Sequence, residues 1–251
     1  MSKHADRFTV VLDTNVLVGA LTRNMLLSLA EDGLFRVRWS QTTLHQEFER
    51  TFIKLYGDGD IAARQRANIE RAFPEGLVIE DPRLMASPTL PGPDDRHVLA
   101  AAIQTKAALI VTQNLKDFPP ECLTPHEIEA ISTDDFLADC IDLAGIEAVA
   151  AFRRMRERFH NPQIDAEALI LRIEQLGLGQ TATMLGEYRA VLSAPNAKRP
   201  PLFRGDSSNV DVALTCFAIV YTQAKRSTFN SLISLLDFVA GAGFEPVTFR
   251  L

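Results

Sequence analysis

Four acids stand where strand-like stretches give way to helix-like ones: Asp13 in "FTVVLDTNVLVGAL", Glu47 in "TTLHQEFER", Asp95 in "GPDDRHV" with Asp94 beside it, and Asp117 in "NLKDFPP". Carboxylates gathered in one cleft repel one another. A hard divalent cation such as Mg²⁺ or Mn²⁺ answers that repulsion with oxygen ligands and keeps waters for a phosphate substrate. Such a site can activate a water and stabilise the leaving oxygen of an in-line displacement, commonly with two ions about 4 Å apart. The chemistry suggested is phosphodiester hydrolysis. Singly, each acid has a plainer reading. Thr14 or Asn15 is a natural helix N-cap, and Asp13 could merely complement the helix macrodipole. Pro93 ahead of two acids makes "GPDDRHV" a good helix start, which gives Asp94 a capping role. Glu47 reads equally as a solvated helix charge and Asp117 as a loop residue. Their shared placement carries the functional reading.

That placement depends on the elements around them. "FTVVL" (8 to 12), "GLVIE" (76 to 80) and "ALIVT" (108 to 112) are apolar without alternation, as expected of strands buried on both faces. "FRVRWS" (35 to 40) alternates and is expected nearer an edge, and 128 to 131 add a last strand. Helical patterns lie between: one over 16 to 31, two amphipathic ones over 41 to 56 and 60 to 73 broken at "GDG", and a strong former at 95 to 107. Strands alternating with helices give a parallel sheet wrapped by helices, in which ligands bind outside the carboxyl ends of the strands. Ser132 or Thr133 caps the next helix, and 146 to 160 and 164 to 193 read as helices separated by "HNPQID". The expected organisation is an α/β unit over 1–144, a helical extension over 145–194, and a Pro- and Ser-bearing linker and tail over 195–251.

With 251 residues, nearly half hydrophobic and about a quarter charged, the chain has the composition of a globular protein and is long enough for a substantial core. A net charge of −6 ordinarily opposes a nucleic-acid partner. A metal-dependent nuclease must carry acids in its site, however, so grouped basic residues matter more than the overall sign. Two groups occur, Arg64, Arg66 and Arg71, and Arg153, Arg154, Arg156 and Arg158, each also readable as a solvated helix face. Cys122, Cys140 and Cys216 are odd in number and widely spaced, without a zinc pattern, as expected of reduced thiols in the cytoplasm. "MSKHADR" and the short run that Asp13 interrupts make a poor signal peptide, and "VALTCFAIVY" is too short to span a bilayer. No membrane is expected.

The stretches "VVLDTNVLVGAL", "WSQTTLHQEFERT", "PGPDDRHVLAAAIQTKAALIVTQNLKDFP" and "IEAISTDDFL", spanning about residues 8 to 137, together resemble a PIN domain of the VapC-type ribonuclease toxins. The resemblance implies an α/β, PIN-like three-layer sandwich with a central, mostly parallel sheet, followed by a C-terminal helical extension. Position by position, Asp13, Glu47 and Asp95 match the first three metal-binding acids, Asn15 the polar residue that orients the site, and Thr112 the hydroxyl ending the fourth strand. Many members carry an acid where this chain has Asn114, so Asp117 is taken as the fourth carboxylate, with Asn114 supporting it through a hydrogen bond or a water. The resemblance further implies Mg²⁺- or Mn²⁺-dependent endoribonuclease activity, products with 5′-phosphate and 3′-hydroxyl ends, an RNA substrate, a VapB-like antitoxin that covers the site, and a toxin that forms a homodimer. The segment "FRRMRERFHNPQIDAEALILRIEQLGL" resembles the helical extension of some members, and Arg153, Arg154 and Arg156 on its first helix are expected to track RNA backbone or to form a solvated face.

The ending "GAGFEPVTFRL" resembles tails formed where an open reading frame runs antisense into a tRNA gene, which would make 195 to 251 an added tail; packing of "DVALTCFAIVYTQ" on the helical extension is the alternative. Among other functions, a haloacid dehalogenase-type phosphatase needs a second Asp where this chain has Asn15, and no G-x-G-x-x-G follows the first strand as a dinucleotide-binding fold requires. The competing reading from another class is a catalytically weak RNA- or partner-binding module, motivated by Asn114.

Overall fold

A computed structural model describes residues 8–86, 90–160 and 162–194. The chain runs β1 (Thr9–Leu12), α1 (Thr14–Val18), α2 (Ala20–Glu31), β2 (Arg36–Ser40), a π-helical segment (Thr42–Phe48) leading directly into α3 (Glu49–Tyr56), then α4 (Gly59–Ala72), β3 (Leu77–Val78), α5 (Pro82–Ala86), α6 (Arg96–Thr105), β4 (Leu109–Val111), α7 (Pro120–Leu123) and β5 (Glu129–Ile131). Five further helices follow: α8 (Thr133–Ala144), α9 (Ile146–Glu157), α10 (Ala166–Gln175), α11 (Gly179–Glu187) and α12 (Arg189–Ser193). The linker and tail over 195–251, Cys216 with them, lie outside the described residues.

The five strands form one parallel sheet in the order β3-β2-β1-β4-β5. The apolar side chains of β1 alternate across it. Val11 and Ile110 meet Val98, Leu99 and Ala102 of α6 on one face, whereas Val10, Leu12, Val37, Trp39 and Val111 meet the core formed with α2, α3, α8 and α9 on the other. Small side chains at Ala101 and Ala102 let α6 lie close over the sheet. The result is a helix–sheet–helix sandwich, and the C-terminal helices share the second core, contributing Phe152, Leu169, Ile173, Leu185 and Leu192.

β1 leads outward to β2 and β3 on one side, and the chain then crosses back to place β4 and β5 on the other. The reversal creates a topological switch point between the carboxyl ends of β1 and β4, where open α/β sheets open a crevice. Asp13 continues the ladder one step past β1, its N–H bonded to Val111 O at 3.1 Å.

Several elements depart from the sequence expectation. "FRVRWS" is interior, paired with β1 and β3, and its polar alternation reflects Arg36 reaching solvent. "GLVIE" is the edge strand instead, shortened to two residues, with Ile79 69 % exposed just beyond it. The helix expected over 16 to 31 breaks at Gly19, which is extended (φ −66°, ψ 117°) and separates α1 from α2. Arg23 supports the break from below: its buried Nη1 donates to Leu17 O at 2.5 Å and Val18 O at 3.1 Å, and the guanidinium lies 5.7 Å from the Phe48 ring centroid. Burying a guanidinium costs several kcal/mol unless donors are matched; the two carbonyls and the aromatic face offset part of that cost, while Nη2 makes no hydrogen bond among the described residues. The single helix expected over 164 to 193 is three, interrupted at Gly177 (φ +79°) and Tyr188. Ser132 caps α8 as expected, accepting from Asp135 N–H at 3.1 Å. No helix among the described residues is long and apolar enough to cross a membrane.

Candidate active site

Asp13 sits at the mouth of the switch point, 6 % exposed, with both carboxylate oxygens occupied. Oδ1 accepts the Thr14 N–H at 2.6 Å, so Asp13 itself is the N-cap of α1, a role the sequence reading gave to Thr14 or Asn15. Oδ2 accepts from Asn15 Nδ2 at 2.6 Å and from the Thr112 hydroxyl at 2.8 Å. Thr112 Oγ1 in turn accepts from Asn15 Nδ2 at 3.0 Å and from the Asn114 N–H at 3.0 Å, while Asn15 Oδ1 takes the Gln113 N–H at 3.0 Å. Asn15 and Thr112 thus staple the loop after β1 to the loop after β4. Burial pushes the Asp13 carboxyl above its ordinary range, with the donors Thr112 and Thr14 opposing and the nearby Glu47 charge reinforcing the rise.

Glu47 arrives from the π-helical segment, whose wide turn is a local irregularity of a kind that recurs at functional sites. Its Oε2 accepts the Thr14 hydroxyl at 2.5 Å, and its Oε1 faces His97 Nε2 at 3.3 Å and the Arg50 guanidinium at 3.8 Å. Burial pushes the Glu47 carboxyl upward, but the facing His97 ring and the hydrogen bond from Thr14 outweigh it and hold the group below its usual range.

Asp95 is the backbone N-cap of α6 yet makes no side-chain cap bond, so its carboxylate is left for the cleft. A Cβ at Gly92 would lie 3.1 Å from Asp95 Oδ2, so the glycine gives that oxygen room. Asp94, assigned the cap from sequence, is exposed and lies one residue before the cap. Burial, followed by the charges of Asp13, Asp117 and Glu47, raises the Asp95 pKa to about 6. Asp117 closes the bay from the short turn Leu115–Asp117, held by a hydrogen bond from Asn114 Nδ2 to its Oδ2. The structure therefore brings Asp13, Glu47, Asp95 and Asp117 into one electrostatic neighbourhood, with Asn15, Thr112 and Asn114 holding the first and last of them.

Among the described residues no three His, Cys, Asp or Glu side chains form a ready cage for an ion. The oxygen-only donor set and the mutual destabilisation felt at Asp95 suit a hard dication.

Sequence reasoning missed Thr14, His97, Ser40, Thr43 and Arg50. Thr14 was visible only as a cap, and His97 only as part of a helix start. Arg50, 74 % exposed, is a basic side chain placed beside Glu47. Most of the arginines singled out from sequence are engaged elsewhere. Arg156 donates to Ile164 O at 2.9 Å and Leu192 O at 3.2 Å, Arg154 pairs with Asp32, and Arg153 lies 4.0 Å from Glu157. Arg158 pairs with Glu31 at 2.7 Å, and Arg66 bridges Glu49 and Glu70 at 2.6 and 2.8 Å. Arg64 is exposed.

Residues 9–116 match the PIN domain family, and residues 133–187 match the VapC50 C-terminal domain. A Mycobacterium tuberculosis protein named "Putative ribonuclease VapC50" is 42 % identical over 76 residues, which cover 30 % of this chain and 45 % of that protein. The chain thus matches somewhat less than half the length of that relative. No solved structure matches. The sheet order, the acids at its switch point and the two family matches lead to one assignment: the chain is a PIN-domain protein carrying a VapC50-type C-terminal domain.

Proposed function

We propose that this protein is a divalent-metal-dependent endoribonuclease and the toxin of a toxin–antitoxin pair. What supports the reading is the placement of Asp13 at the β1/β4 switch point with Asp95, Glu47 and Asp117 around it: burial first, and then the charges of Asp13, Asp117 and Glu47, raise the Asp95 pKa to about 6. Asp13, Glu47, Asp95 and Asp117 would hold Mg²⁺ or Mn²⁺. When bound, the ion supplies an activated water and charge stabilisation for an in-line attack on a phosphodiester.

The chain's own residues supply the orientation. Thr112 from the neighbouring loop and Asn15 of α1 fix Asp13, Thr14 fixes one oxygen of Glu47, and Asn114 donates to Asp117. Arg50 stands where its guanidinium can meet an RNA phosphate, offering the paired N–H groups that suit a phosphate's oxygens. On this reading residues 1–144 carry the chemistry and 145–194 brace it, in the cytoplasm, with an RNA substrate, a co-encoded VapB-like antitoxin over the bay and a homodimer as the active form.

Incubating the antitoxin-free protein with total RNA, with and without Mn²⁺, beside Asp13→Asn tests the proposal. Metal-dependent cleavage lost in the variant supports it; equal cleavage by both proteins counts against it. A folded wild type that binds RNA but cuts nothing favours the second reading, a weak binding module, for which Asn114 in place of an acid is the motivating feature.

A further inference from the structure

We propose that His97 is a positioning residue for Glu47, acting on the bay through the orientation of that carboxylate. Its geometry stands alone; its consequence for metal binding rests on the nuclease reading above.

His97 lies in the first turn of α6, is 2 % exposed, and contacts partners at both ring nitrogens. Nδ1 is 2.8 Å from Ser40 Oγ and 3.3 Å from Thr43 Oγ1. Ser40, the last residue of β2, is fixed in turn, accepting the Thr43 N–H at 2.8 Å. On the other side, Nε2 is buried, and the acceptor within reach among the described residues is Glu47 Oε1 at 3.3 Å, a contact long and bent for an ordinary hydrogen bond.

Charge decides which nitrogen carries the proton. A bare Nε2 lone pair facing a carboxylate would be repulsive, so Nε2 bears hydrogen toward Glu47 and Nδ1 accepts from the Ser40 or the Thr43 hydroxyl. Glu47 is then held at both oxygens by different helices, Oε2 by Thr14 of α1 and Oε1 by His97 of α6. A glutamate has three side-chain torsions to fix, and the exposed Arg50 offers it a competing outward partner. What only the imidazole adds is a polar link from the end of β2 to the carboxylate.

The test compares wild type, His97→Leu and His97→Gln by calorimetric Mn²⁺ titration and steady-state cleavage, with melting curves to establish folding. Removing an outer partner of a metal-binding side chain typically weakens affinity about 10- to 100-fold. His97→Leu should therefore bind Mn²⁺ at least about tenfold more weakly, with kcat reduced and KM for RNA nearly unchanged. His97→Gln, whose amide can reach the place of Nε2–H, should recover most of the loss. Unchanged Mn²⁺ affinity in folded His97→Leu, or no recovery in His97→Gln, overturns the proposal. If wild type neither binds Mn²⁺ nor cuts RNA, the nuclease reading fails on its own. The imidazole ¹⁵N spectrum of metal-free wild type then decides for His97: a proton on Nε2 near neutral pH upholds its link to Glu47, and a neutral Nδ1–H tautomer ends it. The same spectrum decides if His97→Leu does not melt cooperatively.

Discussion

Thr112 donates its hydroxyl to Asp13 Oδ2 at 2.8 Å across a separation of 99 residues, joining the ends of two adjacent parallel strands at the point where the strand order reverses. Because Asp13 is buried, this bond supports both the fold and the charge state of the site. Thr112→Val keeps the shape and deletes the donor. It should cost about 1–3 kcal/mol of stability, the usual penalty for a buried acceptor losing its partner, read by urea denaturation. The Asp13 carboxyl should also move further upward, shifting the acid limb of the cleavage–pH profile to higher pH.

Asp95 predicts an interplay of pH and metal. In the fold its carboxyl holds a proton up to about 6, above its ordinary 3.8, so the folded state binds that proton more tightly than the unfolded state. The associated stability is present below the ordinary value and is lost as pH rises through about 6. Glu47, held low, contributes in the opposite sense, so the Asp95 effect is read as the difference between wild type and Asp95→Asn. Without metal, the variant should gain stability relative to wild type as pH rises through that window. Mn²⁺ should raise the wild-type melting temperature more above the window than below it, and the variant's much less.

Two adjacent acids should behave differently. Asp95→Asn should abolish cleavage, while Asp94→Asn, altering an exposed carboxylate outside the helix, should retain most of it. Parallel cleavage assays at saturating Mn²⁺ check this, and equal losses would show that the bay extends to Asp94.

A similar contrast separates two arginines. Arg50→Ala should raise KM for RNA and lower the salt dependence of binding by about one counterion, with stability little changed. Arg156→Met should cost about 1–3 kcal/mol, because the buried carbonyls of Ile164 and Leu192 lose their donor, and should leave KM unchanged. A raised KM in Arg156→Met with an intact melt would restore that helix as an RNA contact.

Much of the architecture was legible in the sequence because apolar runs and turn residues are local signals. "FTVVL" and "ALIVT" are strands at the expected places, "GDG" does separate two helices, and the parallel sheet follows from their alternation. The errors share a cause. "FRVRWS" and "GLVIE" exchange interior and edge positions because pairing partners, not a strand's own polarity, decide where it sits. The breaks at Gly19 and Tyr188 were missed because apolar periodicity continues through them while the backbone changes direction.

For the site, the sequence by itself determined the chemical inventory: Asp13, Glu47, Asp95 and Asp117 at the ends of elements, with Asn15, Thr112 and Asn114 beside them. Residue type fixes which atoms can hold a hard cation, and that needs no coordinates. Only the tertiary structure decided who holds whom. Asp13 is its own helix cap, Thr14 serves Glu47, Arg156 is engaged by backbone carbonyls, and a histidine that looked like helix filler faces a carboxylate brought in from a segment some fifty residues earlier. The contacts of Glu47 with Thr14 and His97 join residues distant in sequence, and their few-ångström range is met only once the sheet has brought the strand ends together.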